Sequence, residues 1–418
     1  MSAAFQNPYF LGVALSVAMA SLYVLRHNEN IPAFIFLLIS FIPWLYQLFN
    51  IESLPQLRGA LFIMFLLVLV IRKFSKNESL SLFNNSLMLL YISAILFSTA
   101  YNGGDVNEYR TYFGLLLIPA VMSLCPANEK TVRHLTIAMA LFGAANLVSV
   151  LLEWASLGWS QAYSSGLSAA SSYRLLGLGG QGTVQGIYLV ISLNAVHVLF
   201  LQAKSRVTRS MLIALGIGLA VALFGTLSRG AIGGWLLSFV FIQIRLTGLR
   251  FGPFVLAGVL FLLIVGLADI LGVADLVAER FVTMSQESSA LNRLTLVDRG
   301  LRLFSTSPFS GVGLGQGGGT RLEAHNTYLQ ILMETGIVGF SLFVLVLLRG
   351  VRGLMLRAET GADGFFRNPY YVGLLGTLLA ILVDGTFHNF SYFAPMWLII
   401  GIGFQVAPWR SPASVSLR

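Results

Sequence analysis

Arg229 has a sequence setting that suits the binding of an anion. It occurs in TLSRGAIGG, between two apolar runs and with no acidic neighbour. An isolated guanidinium is costly in lipid, so we expect this side chain to face a cavity or a negative charge. A position at the membrane interface, with its head in water, is the alternative. The following Gly230, Gly233 and Gly234 would let the headgroup of a ligand approach the backbone.

A histidine and a carboxylate occur in RLEAHNTYLQILMETG, which opens a later apolar run. An imidazole can accept a proton from a hydroxyl or donate a hydrogen bond to phosphate, so His325 is a candidate for chemistry as well as for a structural role. Asn326 is either the N-cap of the helix or a substrate contact. Glu334, inside the run, is either a functional carboxylate or the partner of an arginine.

The segment 273–326 holds five arginines and no lysine. The guanidinium fork binds phosphate or carboxylate through two parallel hydrogen bonds, and a lipid diphosphate would fit it. Arg293 and Arg299 are the candidates in this segment. Arg174, in SYRLLGLGGQGTVQG, precedes a glycine-rich helix entry of a kind that can bind phosphate through free N–H groups. The glycine pattern is not a dinucleotide-binding fingerprint, because no βαβ context surrounds it.

The sequence predicts no metal, no cofactor and no ATP-driven step. Its histidines are scattered, without the paired histidines or cysteines that metal ligation needs. It also contains no phosphate-binding loop of the Walker type.

The elements that position these residues must be membrane helices. Of 418 residues, 56% are hydrophobic and 10% are charged, and the mean hydropathy is +0.80. A soluble domain cannot bury that much apolar surface. The net charge of +9 is then a record of loop orientation in the membrane, and no nucleic-acid partner is expected.

We predict an all-α polytopic membrane protein with about 12 transmembrane helices. Transmembrane helices fill 1–272, a long outer loop with short amphipathic helices covers 273–326, and further transmembrane helices with a cytoplasmic tail cover 327–418. Basic residues favour short cytoplasmic loops, and all the lysines lie in such stretches, which puts 273–326 on the opposite face. The apolar runs fall near 8–25, 31–50, 57–72, 84–101, 110–125, 134–157, 183–203, 210–227, 230–244, 252–272, 327–348, 370–387 and 391–407.

The long loop has an amphipathic pattern of its own. Leu294, Val297, Leu301 and Phe304 recur at helical spacing. This pattern predicts a helix that lies on the membrane or caps a cavity. Loops of this length are usually functional, so we expect the site here.

Three blocks of sequence resemble the superfamily of O-antigen ligases and O-antigen polymerases, and are most like the O-antigen ligase of lipopolysaccharide assembly. They are LSRGAIGG at 227–234, RLTLVDRGLRLFSTSPFSGVGLG at 293–315 and HNTYLQILMETGIVGF at 325–340. Their order, their spacing and the long outer loop are similar to that family. The resemblance covers the C-terminal half of the chain.

The resemblance implies an inverting, metal-independent glycosyltransferase with a periplasmic active site in the bacterial inner membrane. Its donor would be a glycan on undecaprenyl diphosphate and its acceptor the lipid A core oligosaccharide. Arg229 and Arg293 would stabilise the diphosphate, and His325 would be the general base or an orienting group. Arg174 resembles a further functional arginine.

Two other functions fit the sequence. A polymerase would transfer the glycan to another lipid-linked repeat. A transporter of a lipid-linked saccharide would need no chemistry, but it should show related halves and polar sites at the membrane midplane. The notable residues here crowd toward one face, which favours an enzyme.

Overall fold

The chain folds as a bundle of α-helices. The computed structural model describes residues 27–49, 86–126, 128–157, 182–226, 228–248, 288–316, 324–358 and 368–405, with isolated positions among 63–71 and at 178, 258 and 266. These residues contain no strand, which confirms the all-α class. Their helices are α1 Ile31–Phe49, α2 Ser86–Tyr101, α3 Val106–Leu124, α4 Glu129–Leu157, α5 Gly182–Gln202, α6 Arg206–Gly225, α7 Arg229–Thr247, α8 Ser288–Thr306, α9 Thr327–Ala358, α10 Pro369–Asp384 and α11 Ala394–Gly403.

Length and composition make this a multi-pass membrane protein. Among the described helices, five are long and apolar enough to cross a bilayer, namely α4, α5, α6, α7 and α9. Helices α2, α10 and α11 and parts of α1 and α3 are shorter apolar segments. The predicted run 8–25 and nearly all of 252–272 lie outside the described residues. The total of about 12 spans stays a prediction.

Helices α7 and α10 pack against each other closely and in opposite directions. A methyl group at Gly234 would come within 2.8 Å of the Ala380 carbonyl oxygen, and one at Gly376 would lie 2.6 Å from the Ile242 side chain. Small residues let helix backbones approach in this way, and dispersion between the backbones then replaces a hydrophobic driving force that lipid does not supply. This pairing fixes the start of α7 beside the end of α10.

Helix α9 is interrupted at Gly336, whose backbone is non-helical with φ 65° and ψ −172°. The segment after α8 supplies the missing hydrogen bonds. The Ile337 amide donates to the Pro308 carbonyl at 2.9 Å, and the Gly313 amide donates to the Glu334 carbonyl at 3.0 Å. Irregular backbone is tolerated in a membrane protein where it is buried and bonded in this manner. The apolar run alone predicted a continuous helix here.

The described loops separate onto two ends of the bundle. At one end the Asp105 amide, between α2 and α3, donates to the Leu314 carbonyl at 2.9 Å. Helix α3 runs from there to the other end, where Gln405 donates to the Met122 carbonyl at 2.7 Å. Near this second end Lys130 pairs with Glu29 at 2.7 Å, and that hydrogen bond lowers the pKa of Glu29. The basic loop at Lys130 therefore lies opposite the Asp105 loop, as the charge pattern predicts.

Two neighbouring glycines of α7 provide a test of the close packing. Gly234→Ala should destabilise the protein by about 1 to 3 kcal/mol, because its new methyl group meets the Ala380 backbone. Gly233→Ala should be neutral or stabilising, because no described atom lies within 4 Å of the added group and alanine favours a helix. Thermal unfolding in detergent would measure both. Equal shifts in the two variants would contradict the packing described for α7 and α10.

Candidate functional site

Arg229 is the first residue of α7, after a short turn from the end of α6. Ser228 precedes it in extended conformation as the N-cap residue, and the Arg229 side chain is half-buried. The Ser228 hydroxyl is buried and bonds to none of the described residues. The free N–H groups and partial positive charge of a helix N-terminus favour an anion here. The sequence predicted a turn at Arg229 and its following glycines, but Arg229 and these glycines instead form the first turns of α7.

A buried, hydrogen-bonded pair of an aspartate and a histidine lies against the start of α7. Asp384, the last residue of α10, accepts from Nδ1 of His388 at 2.8 Å. Asp384 is fully buried and His388 is nearly so. A methyl group at Gly230 would overlap Oδ1 of Asp384, so the glycine after Arg229 is what allows this carboxylate to approach the helix.

Asp384 and His388 were not predicted as a pair from the sequence. Asp384 lies within the predicted apolar run 370–387, and His388 is one of the scattered histidines. Two signals were available: an acidic residue near the end of a membrane span, and a spacing of four residues that lets an acid and a histidine meet across one helical turn.

The start of α9 is bonded to the turn that follows α10. The Thr327 amide donates to the Gly385 carbonyl at 2.8 Å, and its hydroxyl donates to the His388 carbonyl at 2.8 Å. The Phe390 amide in turn donates to the Thr327 hydroxyl at 2.7 Å. Three bonds to one threonine therefore join the two segments.

Asn326 is the N-cap of α9, the structural alternative that the sequence offered for it. Its Oδ1 accepts from the Leu329 amide at 2.9 Å, and its Nδ2 donates to the Thr386 carbonyl at 3.0 Å. His325, just before it, is exposed and has a left-handed backbone with φ 47°. Such a conformation costs of order 1 kcal/mol or more in a residue other than glycine, and the surrounding bonds must maintain it.

Arg229 and His325 therefore approach the same turn from two helices. Arg229 adjoins Gly230, which touches Asp384, and His325 precedes Asn326, which bonds to Thr386. The backbones of Arg229 and His325 therefore lie at the same end of the bundle, beside the turn that follows α10.

Helix α8 confirms the amphipathic helix predicted in the long loop. Val297, Leu303 and Phe304 pack against a small cluster formed with the start of α9. Leu301, predicted on the apolar face, is instead half exposed, and Leu303 takes its place because the packed face is rotated toward α9.

The remaining predicted residues have different settings. Arg299 on α8 is half-buried. Arg293 lies in the α8 backbone, but its side chain is outside the described residues, as is all of Arg174. Glu334 is buried and accepts hydrogen bonds from Gln330 and from the Gly315 amide. Within the described ranges, no group of three or more His, Cys, Asp or Glu residues is arranged to hold a metal.

Asn326 offers a test of the junction. Asn326→Ala removes the cap and the bond to Thr386, and it should lower the free energy of unfolding by about 0.5 to 2 kcal/mol. Asn326→Asp keeps an oxygen for the Leu329 amide and is the matched control, with a smaller loss. Denaturation followed by circular dichroism in detergent would compare them. The capping role would be wrong if both variants were as stable as the parent.

Comparison with known families bears on the same residues. Residues 211–344 match the family model described as O-antigen ligase, and this segment includes Arg229, Arg293, His325 and Glu334. No curated protein matches the chain. The matched segment, which runs from α6 into α9, makes this part of the chain similar to the O-antigen ligase family and supports the resemblance to that superfamily.

Proposed function

We propose that this protein is an O-antigen ligase of the bacterial inner membrane. It transfers a glycan from undecaprenyl diphosphate to the lipid A core oligosaccharide, at the periplasmic face. The observation that carries the proposal is the family match over 211–344, because this segment contains Arg229, Arg293 and His325, three of the residues predicted for this chemistry.

The donor diphosphate binds at the start of α7. Arg229, the N-terminal amides of α7 and the Ser228 hydroxyl provide charge and hydrogen bonds for phosphate oxygens. Arg293 and Arg299 on α8 contribute further guanidinium groups, and Arg174 adds another before α5. Arginine suits this task because its fork can bind two phosphate oxygens at once.

The chemical step is a single displacement that inverts the anomeric carbon. A hydroxyl of the acceptor forms the new bond to that carbon while the bond from the carbon to the diphosphate oxygen breaks. His325 accepts the hydroxyl proton as general base, or orients the hydroxyl if the base lies elsewhere. The arginines stabilise the negative charge on the departing carrier, so the step needs neither ATP nor a metal.

Substitution of the three central residues tests the proposal. Arg229→Ala, Arg293→Ala and His325→Ala should each lower the rate of transfer by about 100- to 1000-fold, the cost of losing one charge-stabilising donor. Arg302→Ala is the matched control, because Arg302 lies on α8 but is exposed and paired with Asp298 at the surface. Its activity should be close to that of the parent, since an exposed ion pair contributes little.

The assay would combine purified protein, lipid-linked glycan, lipid A core acceptor and EDTA, without ATP. Full activity in all three alanine variants would contradict the assignment of these residues. Product on the lipid A core supports the ligase, whereas a longer lipid-linked glycan would identify a polymerase. A glycan that only crossed the bilayer, without a new covalent bond, would identify a transporter.

A further inference from the structure

Two polar side chains on successive turns of α9 form a hydrogen-bonded pair inside the protein. Gln330 and Glu334 are both buried, and Nε2 of Gln330 donates to Oε1 of Glu334 at 2.7 Å. A carboxylate in such a place needs hydrogen-bond donors, because leaving it without them is costly. Gln330 therefore supplies one of the hydrogen-bond donors that the buried Glu334 carboxylate needs.

The same two side chains reach two separate parts of the chain. Glu334 Oε1 accepts from the Gly315 amide at 3.3 Å, and Gln330 Oε1 accepts from the Ala324 amide at 2.9 Å. Gly315 and Ala324 flank the residues 316–323. One pair of side chains thus bonds to the backbone on both sides of 316–323.

The bundle anchors Glu334 independently of its side chain. The Glu334 carbonyl accepts from the Ser98 hydroxyl at 2.7 Å and from the Gly313 amide at 3.0 Å. Asn102 at the end of α2 donates to the Gly311 carbonyl at 2.9 Å. The backbone before Gly315 is therefore attached to both α2 and α9, which gives the pair a fixed base.

Ala324 directly precedes His325. Ala324 is held by Gln330 on one side of this histidine, and Asn326 is held by Thr386 and Leu329 on the other. The left-handed conformation of His325 is one that persists only when neighbouring bonds determine it. The bond to Ala324 is one of these.

We propose that Gln330 and Glu334 are positioning residues that hold His325 in place for transfer. We call them the α9 clamp. Glu334 then acts as a hydrogen-bond acceptor for Gly315 and Gln330, and its charge is not used to bind substrate. This role rests on the proposed function of His325, but the geometry of the α9 clamp can be tested without it.

The test measures hydrogen–deuterium exchange in 311–326 and transfer kinetics on full-length protein in lipid nanodiscs. Glu334→Ala and Gln330→Ala should raise amide exchange there by about tenfold, the size expected when a buried hydrogen bond is lost. They should also lower kcat by about ten- to a hundredfold, the effect of misplacing a reacting group. KM for the donor should stay near that of the parent.

Glu334→Gln distinguishes the hydrogen bonds of residue 334 from its negative charge. The amide oxygen can still accept from Gly315 and Gln330, so both exchange and kcat should remain close to those of the parent. Gln243→Ala is the control for loss of a buried glutamine, because Gln243 bonds to His197 and Thr247 on another helix. It should leave exchange in 311–326 unchanged.

Several outcomes would overturn the α9 clamp. Unchanged exchange in Glu334→Ala and Gln330→Ala would show that the pair does not hold Gly315 and Ala324. Loss of activity in Glu334→Gln with normal exchange would show that the charge itself is needed. A raised KM with unchanged kcat would make Glu334 a donor contact. If Glu334→Ala fails to accumulate, Gln330→Ala and Glu334→Gln still decide.

Failure of the proposed function would look different. If His325→Ala remained fully active while Glu334→Ala raised the exchange, the α9 clamp would stand as a structural device and the role of His325 would be wrong. If His325→Ala were inactive while neither clamp variant changed the exchange, the role of His325 would stand without the α9 clamp.

Discussion

The hydrogen bonds of Thr327 hold the start of α9 on the turn that follows α10, and the rest of the site depends on this junction. Its amide and hydroxyl donate to the Gly385 and His388 carbonyls, and its hydroxyl accepts from the Phe390 amide. Backbone groups at the ends of membrane helices need such partners when they are buried. Because Arg229 adjoins the same turn through Gly230 and Asp384, one set of bonds fixes two helix starts together.

The position of the site also depends on the close approach of helix backbones. Gly230 and Gly234 allow α7 to lie directly on α10, and Gly353 of α9 touches the backbone of Gly403 on α11. A lipid-facing surface and a helix-facing surface are equally apolar, so shape selects partners in a membrane protein where hydrophobicity does not. The glycines predicted to let a ligand approach thus divide into two kinds: Gly230 and Gly234 face α10, and Gly233 is exposed.

The role of helix α8 depends on its tertiary contacts. The sequence predicted that this helix is amphipathic, but not which helices it and the following residues contact. The chain after it bonds to the break in α9 at Gly336 and to the α2–α3 turn through Leu314. These bonds join α8, which carries Arg293 and Arg299, to α9, which begins just after His325. In the proposed reaction the arginines of α8 bind the donor, and His325 acts on the acceptor hydroxyl.

The sequence by itself determined the all-α class with its apolar helices, the amphipathic helix of the long loop and the resemblance to the O-antigen ligase superfamily. These follow from composition, from periodicity and from short motifs, which are local properties of the chain. Only the tertiary structure decided that Asp384 and His388 form a buried pair beside Gly230, that α9 breaks at Gly336, and that Gln330 and Glu334 hold Gly315 and Ala324. Those features depend on which helices pack against each other. An apolar run does not specify its neighbours, because an apolar helix surface can face either lipid or another helix.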